Sequence, residues 1–346
     1  MSETTQAPST TSYDAAGEFL ERRTPAQRVQ TTLHRYPWLS PAIVLVISVI
    51  VFGFLNENFA TPNNLSLITQ QVAVVGALAV GQTLIILTAG IDLSCGAIMV
   101  FSSMVMAKTA FDSGLPGWLA ILLGLVVGGL AGAANGLLVT KVRLPPFIVT
   151  LGTLNIFIAL TLLYATGRTI RDSELATGLA WLGETFTIGQ VRITTGVVVM
   201  LVMYAVFAFV LKYTAWGRHV YAVGDDIEAA RLAGIRVQRV LMSVYVTAGT
   251  LFALTGWILI GRVNAASPNS GIDANLDSIT AVVIGGTSLF GGRGTVLGSL
   301  IGALIVGVFR NGLTLAGLDV YYQTLAVGIL VIIAVSVDQW IRRARA

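Results

Sequence analysis

Apolar residues in this chain are gathered into successive blocks of about 20, the length an α-helix needs to cross a hydrocarbon core of roughly 30 Å. No other feature restricts the fold as strongly. Backbone amides have no water to bond in lipid, so spanning segments are helices or closed barrels, and blocks this long read as helices. The blocks predict an all-α polytopic membrane protein with about ten spans, near residues 39–57, 71–91, 94–112, 116–139, 146–167, 193–212, 239–261, 276–291, 294–315 and 320–340. Of the 346 residues, 55% are hydrophobic and 11% charged, whereas soluble domains carry about a quarter charged residues. A soluble fold is excluded.

The eighth block is the weakest. Asp277 and the glycines at 285, 286, 291 and 292 leave a short apolar core, which predicts a broken or re-entrant helix near 276–291. Ahead of the blocks, residues 1–38 form a polar tail. No small-residue cleavage site follows the first block, Pro41 to Leu55, so the tail is expected to stay on the chain rather than leave with a signal peptide.

Most of the 21 lysines and arginines fall in connections that ten spans place on one side, together with both termini. That bias marks the cytoplasmic side. It also accounts for the net charge of +4 without invoking nucleic acid. The single Cys95 lies in an apolar stretch, so neither a disulfide framework nor a metal cluster is indicated. The two histidines, His34 and His219, fall in predicted cytoplasmic segments, which leaves an intramembrane hydrolase without a base or metal pair. No lysine closes a GxxxxGK[ST] loop, so the chain has no nucleotide site of that kind.

Span four carries Gly124, Gly128, Gly132 and Gly136, and span nine Gly294, Gly298 and Gly302. Glycine every fourth residue lies on one helix face and permits close backbone approach, so both stripes are read as packing. Asn-Gly-Leu recurs at Asn135 and Asn311 in spans of opposite direction, which hints at an inverted repeat with a substrate path between the halves. Polar residues within the spans are the candidates for that path: Gln70, Gln71, Gln82, Thr83, Asn155, Arg310, Asn311 and Gln323. Each can instead hydrogen-bond between helices. Arg310 should face the path or a carboxylate such as Asp319, because exposing it to lipid costs several kcal/mol. Asp92, between spans two and three, is either a membrane carboxylate or, as favoured here, a helix cap at the cytoplasmic boundary. The outer loop from Gly167 to Arg192, with Arg168, Arg171, Asp172, Glu174 and Glu184, is either a docking surface or a solvated loop.

The longest cytoplasmic connection runs through 214–238. Asp225 or Asp226 can cap a short helix there, and Gly234 can end it. Ile227, Ala230 and Gly234 share a face edged by Glu228 and Arg231, which suits docking on a partner. This segment resembles the coupling loop of permease subunits in the bacterial ABC importers for ribose, xylose and related monosaccharides. The resemblance extends to Gly90-Ile91-Asp92-Leu93-Ser94, to residues 145–153 beginning Pro145-Pro146-Phe147, and to residues 281–289 with Gly291-Gly292-Arg293-Gly294. It covers the chain from about residue 60 to the end. Cys95 departs from the small aliphatic residue usual in that family, Asp225 from Gly and Asp226 from Asn.

The resemblance implies a permease domain over 39–346 in the bacterial plasma membrane, working as a homodimer with a cytoplasmic ATPase and an extracytoplasmic sugar-binding protein. No cofactor is expected on this chain; ATP and Mg would bind the ATPase. Gly217, Arg218, Gly224, Asp225, Asp226, Ile227, Ala229, Ala230 and Gly234 are the expected ATPase-coupling residues. Gln70, Gln82, Asp92, Asn155, Arg310, Asn311 and Gln323 are the expected path residues. The expected cargo is a monosaccharide such as ribose, xylose or fructose. Related permeases import nucleosides, branched-chain amino acids or furanosyl signal molecules, so those remain alternatives. An ion-coupled transporter would carry more intramembrane acids than this sequence has.

Overall fold

The computed structural model describes residues 39–271, 273–329 and 332. The tail at 1–38, the last part of the tenth span and the terminal arginines lie outside them. Helices dominate. They are α1 (Leu39–Leu55), α2 (Pro62–Leu87), α3 (Cys95–Ser113), α4 (Gly117–Leu137), α5 (Pro146–Ala165), α6 (Thr195–Tyr213), α7 (Ala215–Asp225), α8 (Ile227–Leu232), α9 (Val237–Val263), α10 (Ala274–Ile284) and α11 (Val296–Leu315). A last helix, α12, is described over 320–329. Seven of the described helices are long and apolar enough to cross a membrane. The chain is a predominantly helical, multi-pass membrane protein; each of the first nine predicted spans coincides with a helix, and the described part of the tenth is helical.

Two boundaries differ from the sequence expectation. The second span begins nine residues early because Thr61 and Pro62 start α2: Thr61 Oγ1 accepts from the Asn64 amide, and proline at the first position needs no donor. The polar Asn64 and Ser66 that mask this turn from hydropathy are both buried against the protein. The eighth span shrinks to the 11 residues of α10, about 16 Å long and too short to cross alone. A turn follows it, in which Gly286, Gly291, Gly292 and Gly294 take positive φ.

Both glycine stripes are packing surfaces. A side chain at Gly128 or Gly132 would strike the backbone of α9 at Gly249 and Tyr245, and one at Gly298 or Gly302 would strike α10 at Gly285 and Ala281. These contacts belong to a larger regularity. α9 packs on α4, α3 and α2, while α2 packs on α11, α10 and α9; α3 packs on α4 as α10 packs on α11. Exchanging α2 with α9, α3 with α10 and α4 with α11 leaves this neighbour pattern unchanged, as an inverted repeat requires. The asparagines that hinted at the repeat hold different partners: Asn135 bonds Ser94 at 2.9 Å, and Asn311 exchanges amide bonds with Asn64 at 2.7 and 2.9 Å.

The segment between α5 and α6 is not a plain loop. Its strands are β1 (Ile170–Arg171), β2 (Thr185–Ile188) and β3 (Val191–Thr194); β2 and β3 form a hairpin, and β1 pairs with β4 (Ala265–Ala266) beyond α9. The segment is held down on α9, where the Trp257 indole donates to the Leu179 carbonyl at 3.0 Å. Arg168 and Glu174 pair with each other at 2.6 Å, and Arg168 lies over the Phe111 ring. That hydrogen bond, with the Arg171 amide, holds the Glu174 carboxyl below the usual range.

Candidate functional site

The end of the bundle bearing Lys141, Arg143, Lys212, Arg218 and Arg293 is here termed the basic end. The long connection there folds as two helices, where the sequence predicted one. Thr214 starts α7 by accepting from the Gly217 amide at 3.1 Å. Asp226 starts α8 by accepting from the Glu228 and Ala229 amides at 2.8 and 3.0 Å. Gly234, at φ +82°, ends it. Of the two candidate caps, Asp226 fills the role, and Asp225 is the last residue of α7.

α7 is fixed to two separate parts of the bundle. Gly224 lies so close to the Leu87 carbonyl, at the end of α2, that any Cβ there would overlap it. The same carbonyl accepts from the Gly292 amide at 3.0 Å in the α10–α11 turn. Tyr221 donates to the Gly294 carbonyl in that turn at 2.9 Å, and burial pushes its phenol up. Gly217 and Gly224 are thus buried positioning residues, whereas Arg218, Asp225 and Ala229 are exposed.

The predicted docking face of α8 is corrected by the structure. Ala230 is only 4% exposed and points into the protein's own core. The outward face carries Ile227, Glu228, Arg231 and Leu232, with Glu228 paired to Arg231 at 3.2 Å. Leu232 is 89% exposed, at the tip of the two-helix unit. A six-residue helix has too few turns for periodicity to say which of two apolar stripes faces inward. That ambiguity hid Leu232.

Between the helices lies a polar interior. The starts of α3 and α10 meet there: Asn275 donates to the Leu93 carbonyl at 3.1 Å, and Cys95 Sγ lies 3.6 Å from Ser278 Oγ. Asp92 is buried beside that junction. Its carboxylate accepts from the Ser94 amide and hydroxyl at 2.7 and 2.6 Å, and Asn135 reaches it at 3.5 Å. Asp92 therefore braces the turn into α3 from two residues ahead of the cap position, which Ser94 holds. Thr83 donates to Ser299 at 2.7 Å, tying α2 to α11. Gln82, one residue earlier, is fully buried, and neither atom of its amide has a partner among the described residues.

Arg310 meets a carboxylate, but the partner is Asp277 of α10 at 2.7 Å and not Asp319. Its Nε has no partner among the described residues. The other path candidates scatter. Asn311 is a buried interhelical lock to Asn64. Asn155 is exposed on α5 and bonds only its own helix, at the Leu151 carbonyl. Gln70 is half-buried in α2, and Gln323 bonds the Leu318 carbonyl at 2.9 Å. The structure thus places Gln82 and Arg310 on helices that the internal exchange relates, and Asp92 in the connection between two of them. It leaves Asn155 on the lateral surface. Asn275 and Ser278 are polar residues of the interior that the sequence reading missed, since ordinary hydroxyl and amide residues at a helix start give no signal of what they face.

Residues 64–335 match the family described as branched-chain amino acid transport system permease component. The chain is 51% identical to the fructose import permease FrcC of Rhizobium meliloti over 97% of its own length and 94% of that protein. It is 42% identical to the ribose import permease RbsC of Bacillus subtilis, over 87% and 92%, and 36% identical to the D-allose permease AlsC of Escherichia coli, over 87% and 91%. Matches of this extent, on a bundle with a protruding helical unit locked to two of its elements, show that the chain belongs to the permease family of bacterial ABC sugar importers.

Proposed function

We propose that this chain is the membrane permease of a monosaccharide importer, with fructose as the first candidate cargo. The likeness to FrcC supports that choice over ribose or allose, and the three named sugar permeases favour sugars over amino acids. In this reading the basic end and both termini face the cytoplasm, following the positive-inside bias. A separate ATPase holds ATP and Mg and docks on α7–α8, a binding protein delivers sugar at the opposite face, and a second copy completes the pathway.

The observation that carries this reading is the α7–α8 unit, which presents Leu232 outward while its inner side grips the end of α2 and the α10–α11 turn. Movement imposed on α8 reaches both at once. Five residues beyond the end of α2 lies Asp92, and the α10–α11 turn leads back through α10 to the junction with α3. A partner binding α8 differently in two states would bias two arrangements of this junction, which is the thermodynamic requirement for coupling. A neutral, hydroxyl-rich solute needs amide and hydroxyl partners rather than fixed charge. The unpartnered Gln82 amide supplies such a group, and Asn275 and Ser278 at the junction of α3 and α10 supply others.

Uptake of labelled fructose, ribose and xylose into vesicles holding the chain with its ATPase and binding protein tests the assignment. ATP-dependent uptake that disappears without the ATPase is the expected result. Uptake driven by a proton gradient through this chain alone would overturn it.

A further inference from the structure

At the basic end a groove of ≈330 Å³ opens between α7 and the start of α9. His219, Arg236 and Arg239 line it, with Ile235 and the buried Val240 as an apolar floor. No carboxylate lines the groove among the described residues. The nearest acids are engaged elsewhere: Asp226 caps α8, and Glu228 pairs with Arg231. Neither Arg236 nor Arg239 has an ion-pair partner among the described residues. Arg236 immediately precedes α9 and Arg239 lies in its first turn, where the positive end of the helix adds to their field.

The groove also has a definite depth. The 27 residues of α9 extend about 40 Å, longer than a hydrocarbon core of roughly 30 Å, so its ends lie in the headgroup layers. Trp216 donates to Ser243 of α9 at 2.8 Å, and Lys212 lies 5.1 Å from the Tyr213 ring centroid. Tryptophan, tyrosine and lysine together mark a membrane–water boundary. From Tyr213 the surface continues into Phe209, exposed on the lateral face of α6.

We propose that this groove holds the phosphate headgroup of an anionic phospholipid from the leaflet at the basic end. Two adjacent guanidinium groups match a phosphodiester through paired hydrogen bonds, which a single ammonium cannot do. The apolar floor and the neighbouring face of α6 accommodate the glycerol and the start of the acyl chains. The inference shares with the importer reading the placement of these helices in a membrane and a border with the α7–α8 unit, since Ala233 and Gly234 at the end of that unit also line the groove. It requires neither the sugar nor the ATPase.

The test uses the full chain in nanodiscs containing phosphatidylglycerol and phosphatidylcholine, with native mass spectrometry counting the lipids retained. Each cation near a membrane surface contributes about fivefold in affinity for anionic lipid. The wild type should retain phosphatidylglycerol selectively, and Arg236→Gln/Arg239→Gln should lose about 25-fold of that selectivity. Lys141→Gln, an exposed cation at the same end but outside the groove, should change it less than twofold. Arg236→Lys/Arg239→Lys, which keeps the charge, should recover part of it and would show that the glutamine variant failed for want of charge rather than of fold. Unchanged selectivity in the glutamine variant would overturn the proposal. Displacement by inorganic phosphate at equal concentration would overturn it in favour of a free-phosphate site. Retained lipid with lost binding of the ATPase would overturn it in favour of an acidic segment of that partner.

Discussion

Leu232→Ala separates docking from folding at a single position. Leu232 is 89% exposed in this chain, so shortening it removes almost no buried contact from the fold. If an ATPase covers it, the substitution deletes three carbons from a buried site, at about 0.8 kcal/mol each. Allowing for incomplete burial at an interface edge, about 2 kcal/mol of docking energy is lost, or roughly thirtyfold in Kd. The assay titrates purified ATPase against the chain in nanodiscs and follows uptake in parallel. The expected outcome is a rise of about thirtyfold in Kd, uptake that recovers at high ATPase concentration, and an unchanged melting temperature. Ala230→Glu makes the contrast: it forces a carboxylate into the chain's own core and should lower the yield of folded protein before docking is reached. Wild-type affinity for Leu232→Ala would refute the assignment of this tip to the interface.

Three further outcomes follow from the interior. Gly224→Ala places a Cβ against the Leu87 carbonyl, so α7 must shift from the bundle; uptake should fall at least tenfold while ATPase binding persists, and full uptake would mean that α7 transmits nothing through this contact. Asp277→Asn and Arg310→Gln each break the ion pair, and because Arg310 is about a third exposed the loss is set at about 1–3 kcal/mol rather than the full cost of an orphaned buried charge. The double variant should lose less than the sum of the singles in thermal unfolding, and strict additivity would show that the pair is not coupled. Gln82→Leu should leave the melting temperature unchanged or higher, because its amide has no partner to lose, yet reduce sugar uptake; equal uptake would remove Gln82 from the path.

What the sequence revealed depended on whether a residue's consequence is local. Span positions follow from runs of apolar residues, and the glycine stripes of α4 and α11 follow from the single residue type that permits backbone contact. The start of α2 was misplaced because Asn64 and Ser66 look like surface residues. Both are satisfied from afar, Asn64 by Asn311 and Ser66 by the Arg192 carbonyl. The partner of Arg310 was misjudged for the same reason. Asp319 is near in sequence, whereas Asp277 is brought to it only because α10 packs on α11. On α8, Ala230 and Leu232 are both apolar, and only the bundle beneath distinguishes the residue that fills it from the one that leaves it.

The internal exchange of α2, α3 and α4 with α9, α10 and α11 bears directly on how a single input can move a symmetric interior. α7 touches α2 from one set and the turn joining α10 to α11 from the other, and the Leu87 carbonyl receives the Gly292 amide between them. The two sets are therefore tied together at the point where an input on α7 would arrive in the proposed importer. Farther in they are tied again, by Thr83 to Ser299 and by Asn275 to the Leu93 carbonyl. Next to Thr83 on α2 is Gln82, whose buried amide has no partner among the described residues. A displacement of α7 cannot move α2 without also moving the turn before α11, so the sets move relative to the rest of the bundle or shear against each other at the inner ties. In the proposed importer, shear at those ties is the movement that would open a path beside Gln82.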